Sequence, residues 1–296
     1  MRKPVLIFSL ALAAATPSWA QLSPPNKAGV SLGAWHTIVR DVETTKKWWE
    51  VWGGKPMKID GVDVIKMRGV FIFMVQGEPN APSIDHFIDH IAFQSPKGFD
   101  LMKTLVAAGV KTDPIETSTM RDKGWLPTSD TRVWTYVYSP DGLRVEVVTD
   151  EEAIAAKDFT TGTRSDMMHV YFKDLPALRA SFNFYRKYFG GEPQSDALVN
   201  LHIPGTKWNY AVDNGSERMA TVKRVRGGPR LPNKGGALDY IGFEVKNLAG
   251  FVKKLETAGT KFDEPYSKTR HQSYASARFT GPAGEVVELT EGLNKY

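Results

Sequence analysis

Four stretches of this chain repeat one plan, and that repetition constrains the fold more than any other feature. Each opens on a short, β-rich, roughly alternating run, at residues 34–39, 89–93, 168–172 and 239–243. Each run passes through a polar turn into an amphipathic helix, expected over residues 42–52, 97–108, 175–189 and 248–258. Apolar residues recur there at three- and four-residue spacing: Trp48, Val51 and Trp52 in the first helix, and Leu101, Leu105 and Ala108 in the second. Glycines close the helices at Gly53-Gly54, Gly109, Gly190-Gly191 and Gly259, because glycine accepts the left-handed conformation that ends a helix. Strand candidates follow at 62–67 and 70–75, 133–138 and 143–148, 198–203 and 208–212, and 275–279 and 285–289. Two of these pairs turn at Ser139-Pro140-Asp141-Gly142 and Gly281-Pro282-Ala283-Gly284, and both turns lead to a glutamate, Glu146 and Glu288. The chain reads as four βαβββ units arranged as a pair of pairs, with the join near residues 151–164.

A chain of 296 residues, 42% of them hydrophobic, can bury the cores of two ordinary domains. Its net charge of +5 comes from scattered basic residues with no stripe or block, which argues against a nucleic-acid partner. There is no cysteine, so disulfides, thiolate metal sites and cysteine nucleophiles are excluded. Residues 1–20 read as a signal peptide: Arg2 and Lys3, an apolar run at 5–15, Pro17, and small residues in Ser18-Trp19-Ala20 before a cleavage point. The mature protein is therefore expected in the periplasm or secreted, after an extended lead-in over 21–31. No other run is apolar and long enough for stable membrane insertion.

A βαβββ unit used four times, with histidine on opening strands and glutamate after a Pro-x-Gly hairpin, resembles the vicinal oxygen chelate superfamily. That group includes glyoxalase I, bleomycin and fosfomycin resistance proteins, methylmalonyl-CoA epimerase and extradiol dioxygenases. The stretches Asp89-His90-Ile91-Ala92-Phe93 and Ser139-Pro140-Asp141-Gly142-Leu143-Arg144-Val145-Glu146 carry the resemblance most strongly, and it covers residues 32–293. It implies an α+β fold of two tandem glyoxalase/extradiol dioxygenase-like domains, 32–150 and 165–293, joined by a linker at 151–164. It also implies one divalent metal ion (Fe, Mn, Ni, Co or Zn) held by His36, His90 and Glu146 in the first domain, since two imidazoles and a carboxylate leave positions open for substrate oxygens. In the second domain His169 and Glu288 remain, but Tyr240 stands where the middle histidine belongs. A phenol is a poor ligand until deprotonated, so that half reads as degenerate.

The reaction is less constrained. The strand after the first helix has an apolar centre, so the fourth, acidic ligand of glyoxalase-type sites is absent; Gln76 is its only polar residue, near the end. Tyr136 fits the tyrosine of the extradiol dioxygenase signature, but residues 125–132 lack the accompanying histidine. In the second half His271 lies near that place and Arg278 replaces the tyrosine. Tyr136 and His86 are the candidate acid–base residues, His86 because it lies four residues before His90 and would share its face on an extended strand. The resemblance implies a small substrate with vicinal oxygens, processed by lyase, isomerase or epimerase chemistry through a metal-stabilised enolate. The alternatives are extradiol ring cleavage and metal-free binding of a small molecule. Either a monomer or a homodimer fits four units in one chain. Asn214-Gly215-Ser216 reads as a turn that also matches a glycosylation acceptor, and the glycines at 227–228 and 235–236 read as a mobile connector.

Overall fold

A computed structural model describes residues 22–112, 133–149, 163–194, 200–213 and 229–296. The expected signal peptide, nearly all of the 151–164 linker, Trp125, Asn214-Gly215-Ser216 and Gly227-Gly228 lie outside the described residues. The four units are present. Unit one is β1 (Val30–Val39), α1 (Val42–Val51), β2 (Lys55–Ile59), β3 (Val62–Met67) and β4 (Val70–Gln76). Unit two is β5 (Ile88–Gln94), α2 (Gly98–Ala107), β6 (Lys111–Thr112), β7 (Val133–Tyr138) and β8 (Arg144–Thr149). Unit three is β9 (Arg164–Phe172), α3 (Leu175–Phe189), β10 (Glu192–Pro193), β11 (Asn200–Ile203) and β12 (Thr206–Val212). Unit four is β13 (Tyr240–Val245), α4 (Leu248–Thr257), β14 (Phe262–Ser267), β15 (Ala275–Thr280) and β16 (Val286–Glu291). The helices begin where the polar turns end, with Asp41, Asp174 and Asn247 capping the first N–H groups of α1, α3 and α4. No described helix is long and apolar enough to cross a membrane.

Within each unit the opening strand runs parallel to the last strand, and the last three strands meander antiparallel. The units then join edge to edge into two eight-stranded sheets. Sheet one has the order β14-β15-β16-β13-β1-β4-β3-β2, and sheet two β10-β11-β12-β9-β5-β8-β7-β6. The α+β class and the paired units are those expected. The partners are not. Unit one pairs with unit four, through antiparallel β1 and β13, and unit two with unit three, through β5 and β9. The sheets thus cut across the expected division into 32–150 and 165–293. The physical reason is that a strand edge offers the same backbone N–H and C=O groups whatever its side chains. Four similar opening strands leave the choice of neighbour to packing.

Strand alternation sorts the side chains onto two faces. Trp35, Ile72, Met74, Ile91, Phe93, Val145, Val147, Met168, Val170, Ile241, Phe243, Val287 and Leu289 all join one continuous core with the helices. Trp49 and Trp52 of α1 lie 5.5 and 5.8 Å from Phe93 of β5, so the helix of unit one seals sheet two. Trp35, Trp48, Trp49, Trp52 and Trp208 are all buried in this core. The other face of each sheet carries the polar positions: His36, Tyr240 and Glu288 in sheet one, and His90, Glu146 and His169 in sheet two.

One buried carboxyl in this framework has a pH signature. Glu285 accepts hydrogen bonds from the Tyr185 hydroxyl and the Ala283 N–H. Burial pushes it from 4.5 up to about 7, against those two bonds. Its folded value lies above its unfolded value, so its contribution to stability is fully present below about pH 4.5 and is lost as pH rises through about 7. The loss should be on the order of 3 kcal/mol. Glu285→Gln is expected to flatten the pH dependence of the melting temperature across this window. Calorimetry checks it, and equal slopes in wild type and variant would remove Glu285 as the cause.

Candidate functional site

The outer face of sheet two brings three chemically suited groups together. His90 on β5 and His169 on β9 are register partners across the antiparallel join, and their rings lie 5.0 Å apart. Glu146 enters from β8, paired with Ala92 two residues beyond His90. His90 Nε2 and Glu146 Oε2 stand 3.3 Å apart. Both atoms are buried and face each other as an ion pair.

The surroundings set the proton positions. His90 Nδ1 hydrogen-bonds to Asp89 Oδ1 at 2.7 Å. The same oxygen accepts from Arg144 Nη1 at 2.8 Å, and Asp89 Oδ2 accepts from Arg230 Nη1 at 3.0 Å. Burial alone would raise Asp89, but His90, Arg144 and Arg230 hold it well below the usual carboxylate range. It is therefore an acceptor only. With Asp89 on Nδ1 and Glu146 facing Nε2, the protonated form of His90 is favoured, and loss of the proton from Nε2 would leave the Nδ1–H on Asp89. Burial would lower His90, but Asp89 and Glu146 outweigh it and raise it. Burial and the nearby His90 hold His169 down to about 3, so its imidazole is neutral at ordinary pH.

An aromatic wall completes the site. Tyr136 on β7 is the register partner of Glu146, and its ring meets that of His90 edge-on at 5.0 Å. The Arg144 guanidinium covers its face at 3.6 Å. Burial, then the charge of Glu146, raises Tyr136 far above its ordinary value, so its hydroxyl keeps its proton. Tyr171 stacks on His169 at 4.6 Å and carries Arg230 on its outer side at 3.9 Å. Tyr171, Phe87, Asp213, Arg230 and Leu231 help line an adjoining cleft of about 590 Å³.

His36 lies elsewhere. It is on β1 in sheet one, sandwiched between Phe73 at 4.8 Å and Tyr240 at 3.9 Å. Its Nε2 stands 3.1 Å from Glu288 Oε2. The expected set of His36, His90 and Glu146 is thus divided between the sheets: His90 and Glu146 share a site, and His169 takes the place meant for His36. The cause is the exchanged pairing of units. His169 sits in unit three where His36 sits in unit one, so equivalent positions were visible and the partner was not. In sheet one Tyr240 does occupy the position of a histidine, opposite His36 in register.

The other candidates separate cleanly. Tyr136 is at the site. His86 is not: a short helical turn at Ser83–Asp85 precedes it, so no extended strand aligns it with His90. Its Nδ1 lies 3.0 Å from the Pro82 carbonyl and its Nε2 3.0 Å from Asn80 Oδ1. A Cβ at Gly236 would come within 2.5 Å of its ring, so His86 is packed structure. Gln76 is exposed at the end of β4, its amide directed to the Arg40 carbonyl. Asp89, Arg144 and Arg230 went unrecognised in the sequence. For Asp89 the signal was its place beside His90. Arg230 lies in a connector that nothing local ties to β5.

Both donor pairs pass a simple test for a shared ion. Two N or O donors each about 2.1 Å from one ion stand about 3.0–3.4 Å apart at right-angled to tetrahedral geometry. The 3.3 and 3.1 Å separations fall in that range. The facing atoms are also buried, where polar groups need partners. Among the described residues no three His, Asp or Glu side chains already close on one point; in each sheet a pair is in place and the third group stands a step back.

Residues 175–289 match the family model described as the Glyoxalase/Bleomycin resistance protein/Dioxygenase superfamily. The chain is similar to glyoxalase I of Zea mays, with 14% identity, 90% of this chain and 94% of that chain covered, and a TM-score of 0.61. It is also similar to a protein of Bacillus subtilis subsp. subtilis str. 168 provisionally named a dioxygenase, with 12% identity, 92% and 86% covered, and a TM-score of 0.60. These likenesses show the fold. No curated protein matches the chain by sequence.

Proposed function

We propose, from the match of residues 175–289 to the Glyoxalase/Bleomycin resistance protein/Dioxygenase superfamily model and from the shared fold, that this chain is a metal-dependent enzyme of that superfamily whose ion is held by His90, His169 and Glu146. The observation that carries this reading is the buried His90 Nε2 facing Glu146 Oε2 at 3.3 Å, with neutral His169 in register beside them. Two neutral imidazoles and one carboxylate suit Fe, Mn, Ni, Co or Zn better than Mg or Ca. A divalent ion bound there would act as a Lewis acid toward two adjacent oxygens of a small substrate and favour loss of a neighbouring proton.

The protein's own groups then have definite tasks. Asp89 keeps the His90 proton on Nδ1. Tyr136 holds its proton on the hydroxyl oxygen and offers it as a hydrogen bond to a substrate oxygen that gains negative charge. Tyr171 and the adjoining cleft receive the apolar body of the substrate, and Arg230 on their margin suits an anionic or strongly polar end. The reaction class is lyase, isomerase or epimerase chemistry on an α-hydroxy ketone or hydroxy acid. Tyr136 beside the site favours a second reading, extradiol cleavage of a catechol.

The test is elemental analysis of the purified full chain after reconstitution with each ion, compared with His90→Ala. Loss of one equivalent in the variant supports the site. An unchanged metal content would remove it. Catechol-dependent oxygen uptake by the loaded protein would select ring cleavage; proton exchange into an α-hydroxy ketone without oxygen uptake would select the first reading.

A further inference from the structure

Two connectors cross at His86: residues 77–87 between units one and two, and residues 229–239 leading into unit four. The backbone ties them together. Asn80 N–H donates to the Gly235 carbonyl at 2.8 Å, Phe87 N–H to the Leu231 carbonyl at 3.0 Å, and Leu231 N–H to the Asp85 carbonyl at 2.9 Å. His86 is fully buried at the crossing. Both of its ring nitrogens face oxygen, Nδ1 at 3.0 Å from the Pro82 carbonyl and Nε2 at 3.0 Å from Asn80 Oδ1. We propose that His86 is held there as an imidazolium and acts as a proton-dependent latch, a positioning residue that seats the second connector and so sets Arg230 on Asp89.

The proton count follows from the two acceptors. The Pro82 carbonyl can only accept. Asn80 has two ends to its amide, but Nδ2 donates to the Lys234 carbonyl at 3.1 Å, which turns Oδ1 toward His86. Both ring nitrogens therefore have to donate, and only the imidazolium does so. A neutral ring would set its lone pair against an oxygen lone pair in a fully buried place, where a lost hydrogen bond is costly. Two charge-assisted hydrogen bonds offset the burial of the cation.

One residue grips the second connector at both ends. Gly236 packs directly on the His86 ring, since a Cβ there would lie 2.5 Å from Cε1 and 2.6 Å from Nε2. The His86 carbonyl accepts from Arg230 Nη1 at 2.9 Å, and that same nitrogen reaches Asp89 Oδ2 at 3.0 Å. The charged groups around the ring are few. Asp85 precedes it and is buried. Asp239 accepts from the Gly235 N–H at 2.6 Å. Arg230 is turned to backbone carbonyls, Asp89 and Asp213. Lys234 is exposed and gives its carbonyl to the junction. Asp141, on the hairpin packed against Pro82, is turned to the Arg40 N–H and the Thr45 hydroxyl. The latch is closed while His86 carries both protons, and it loosens as rising pH removes one, because one of the two ring bonds is then lost.

The test uses the full chain without added metal, so it does not depend on an ion in sheet two. Nitrogen-15 spectra follow the His86 ring, assigned by its loss in His86→Gln, from about pH 5 upward until it gives up a proton. Hydrogen exchange of the Asn80, Phe87 and Leu231 amides, whose bonds span the crossing, is followed over the same range and corrected for the intrinsic rate. Both ring nitrogens are expected to carry protons at the acidic end. Protection of the three amides should fall about tenfold as the ring loses one, the effect of a single buried hydrogen bond. Asn80→Asp sets a carboxylate against the ring and should move that fall up by about 1–3 pH units. Asn80→Ala removes an acceptor of the cation and should move it down. A purely structural histidine would show the same protection on both sides of its titration. A ring with one proton throughout, protection that stays level while the ring titrates, or an unmoved transition in both Asn80 variants would each overturn the latch.

Discussion

Alanine at His169 is expected to release the sheet-two ion, whereas alanine at His36 leaves that ion bound. Structural zinc sites with four ligands are worth about 10–16 kcal/mol in total, so one ligand accounts for about 3–4 kcal/mol, or a hundred- to thousandfold in affinity. The contrast follows from topology alone. His169 is the register partner of His90 in sheet two, while His36 pairs with Tyr240 in sheet one. Competitive titration against a chromogenic chelator measures the affinities. If His36→Ala released the ion bound by His90 and Glu146, and His169→Ala did not, the pairing of units described above could not stand.

Asp89 is expected to give the largest loss of stability. Its side chain is buried and joins three partners: His90 Nδ1 and Arg144 Nη1 on one oxygen, and Arg230 Nη1 on the other. Arg230 also donates to the carbonyls of Ile84 and His86, both at 2.9 Å, and its Nε lies 3.2 Å from Asp213 Oδ2. Removing the carboxylate leaves two buried guanidinium groups short of their shared counter-charge, which costs about 3–5 kcal/mol. For a chain of this size that is a fall of about 10 °C in melting temperature. Asp89→Ala should show the full fall by calorimetry. Asp89→Asn retains an acceptor for His90 and should fall less, yet still lose about 10- to 100-fold in metal affinity because His90 is less firmly oriented. The sign of the pH dependence is set by the depressed carboxyl: its contribution is present above the unfolded value of 3.8 and is lost as pH falls below it. Equal stability of Asp89→Ala and wild type at neutral pH would show that the network is not a structural element.

Residue patterns were enough for everything local. The four helices begin and end within a residue or two of the bounds read from apolar spacing and closing glycines. Most strands follow the alternating runs. Lys55–Ile59 and Phe262–Ser267 were missed, because Lys55, Pro56 and Lys58 in the one, and Asp263, Glu264 and Pro265 in the other, hide edge strands in polar composition. Alternation sorts the faces: Trp35 and Val145 enter the core, and His36, His90 and Glu146 stand on the opposite side. Three residues of the candidate site, His90, Glu146 and Tyr136, were readable because motifs within one unit carry them.

Sequence therefore sufficed for the βαβββ unit, its fourfold repetition, its core face and the donor types on its other face, since each rests on backbone propensity and side-chain periodicity within about ten residues. Which units share a sheet was decided only in the tertiary structure. Strand edges are chemically alike, and Trp49 and Trp52 of α1 pack on Phe93 in the sheet that unit one does not join. That choice moved His36 to Glu288 and His271, gave His90 the imidazole of His169, and brought Arg230 across 141 residues of chain to hold Asp89.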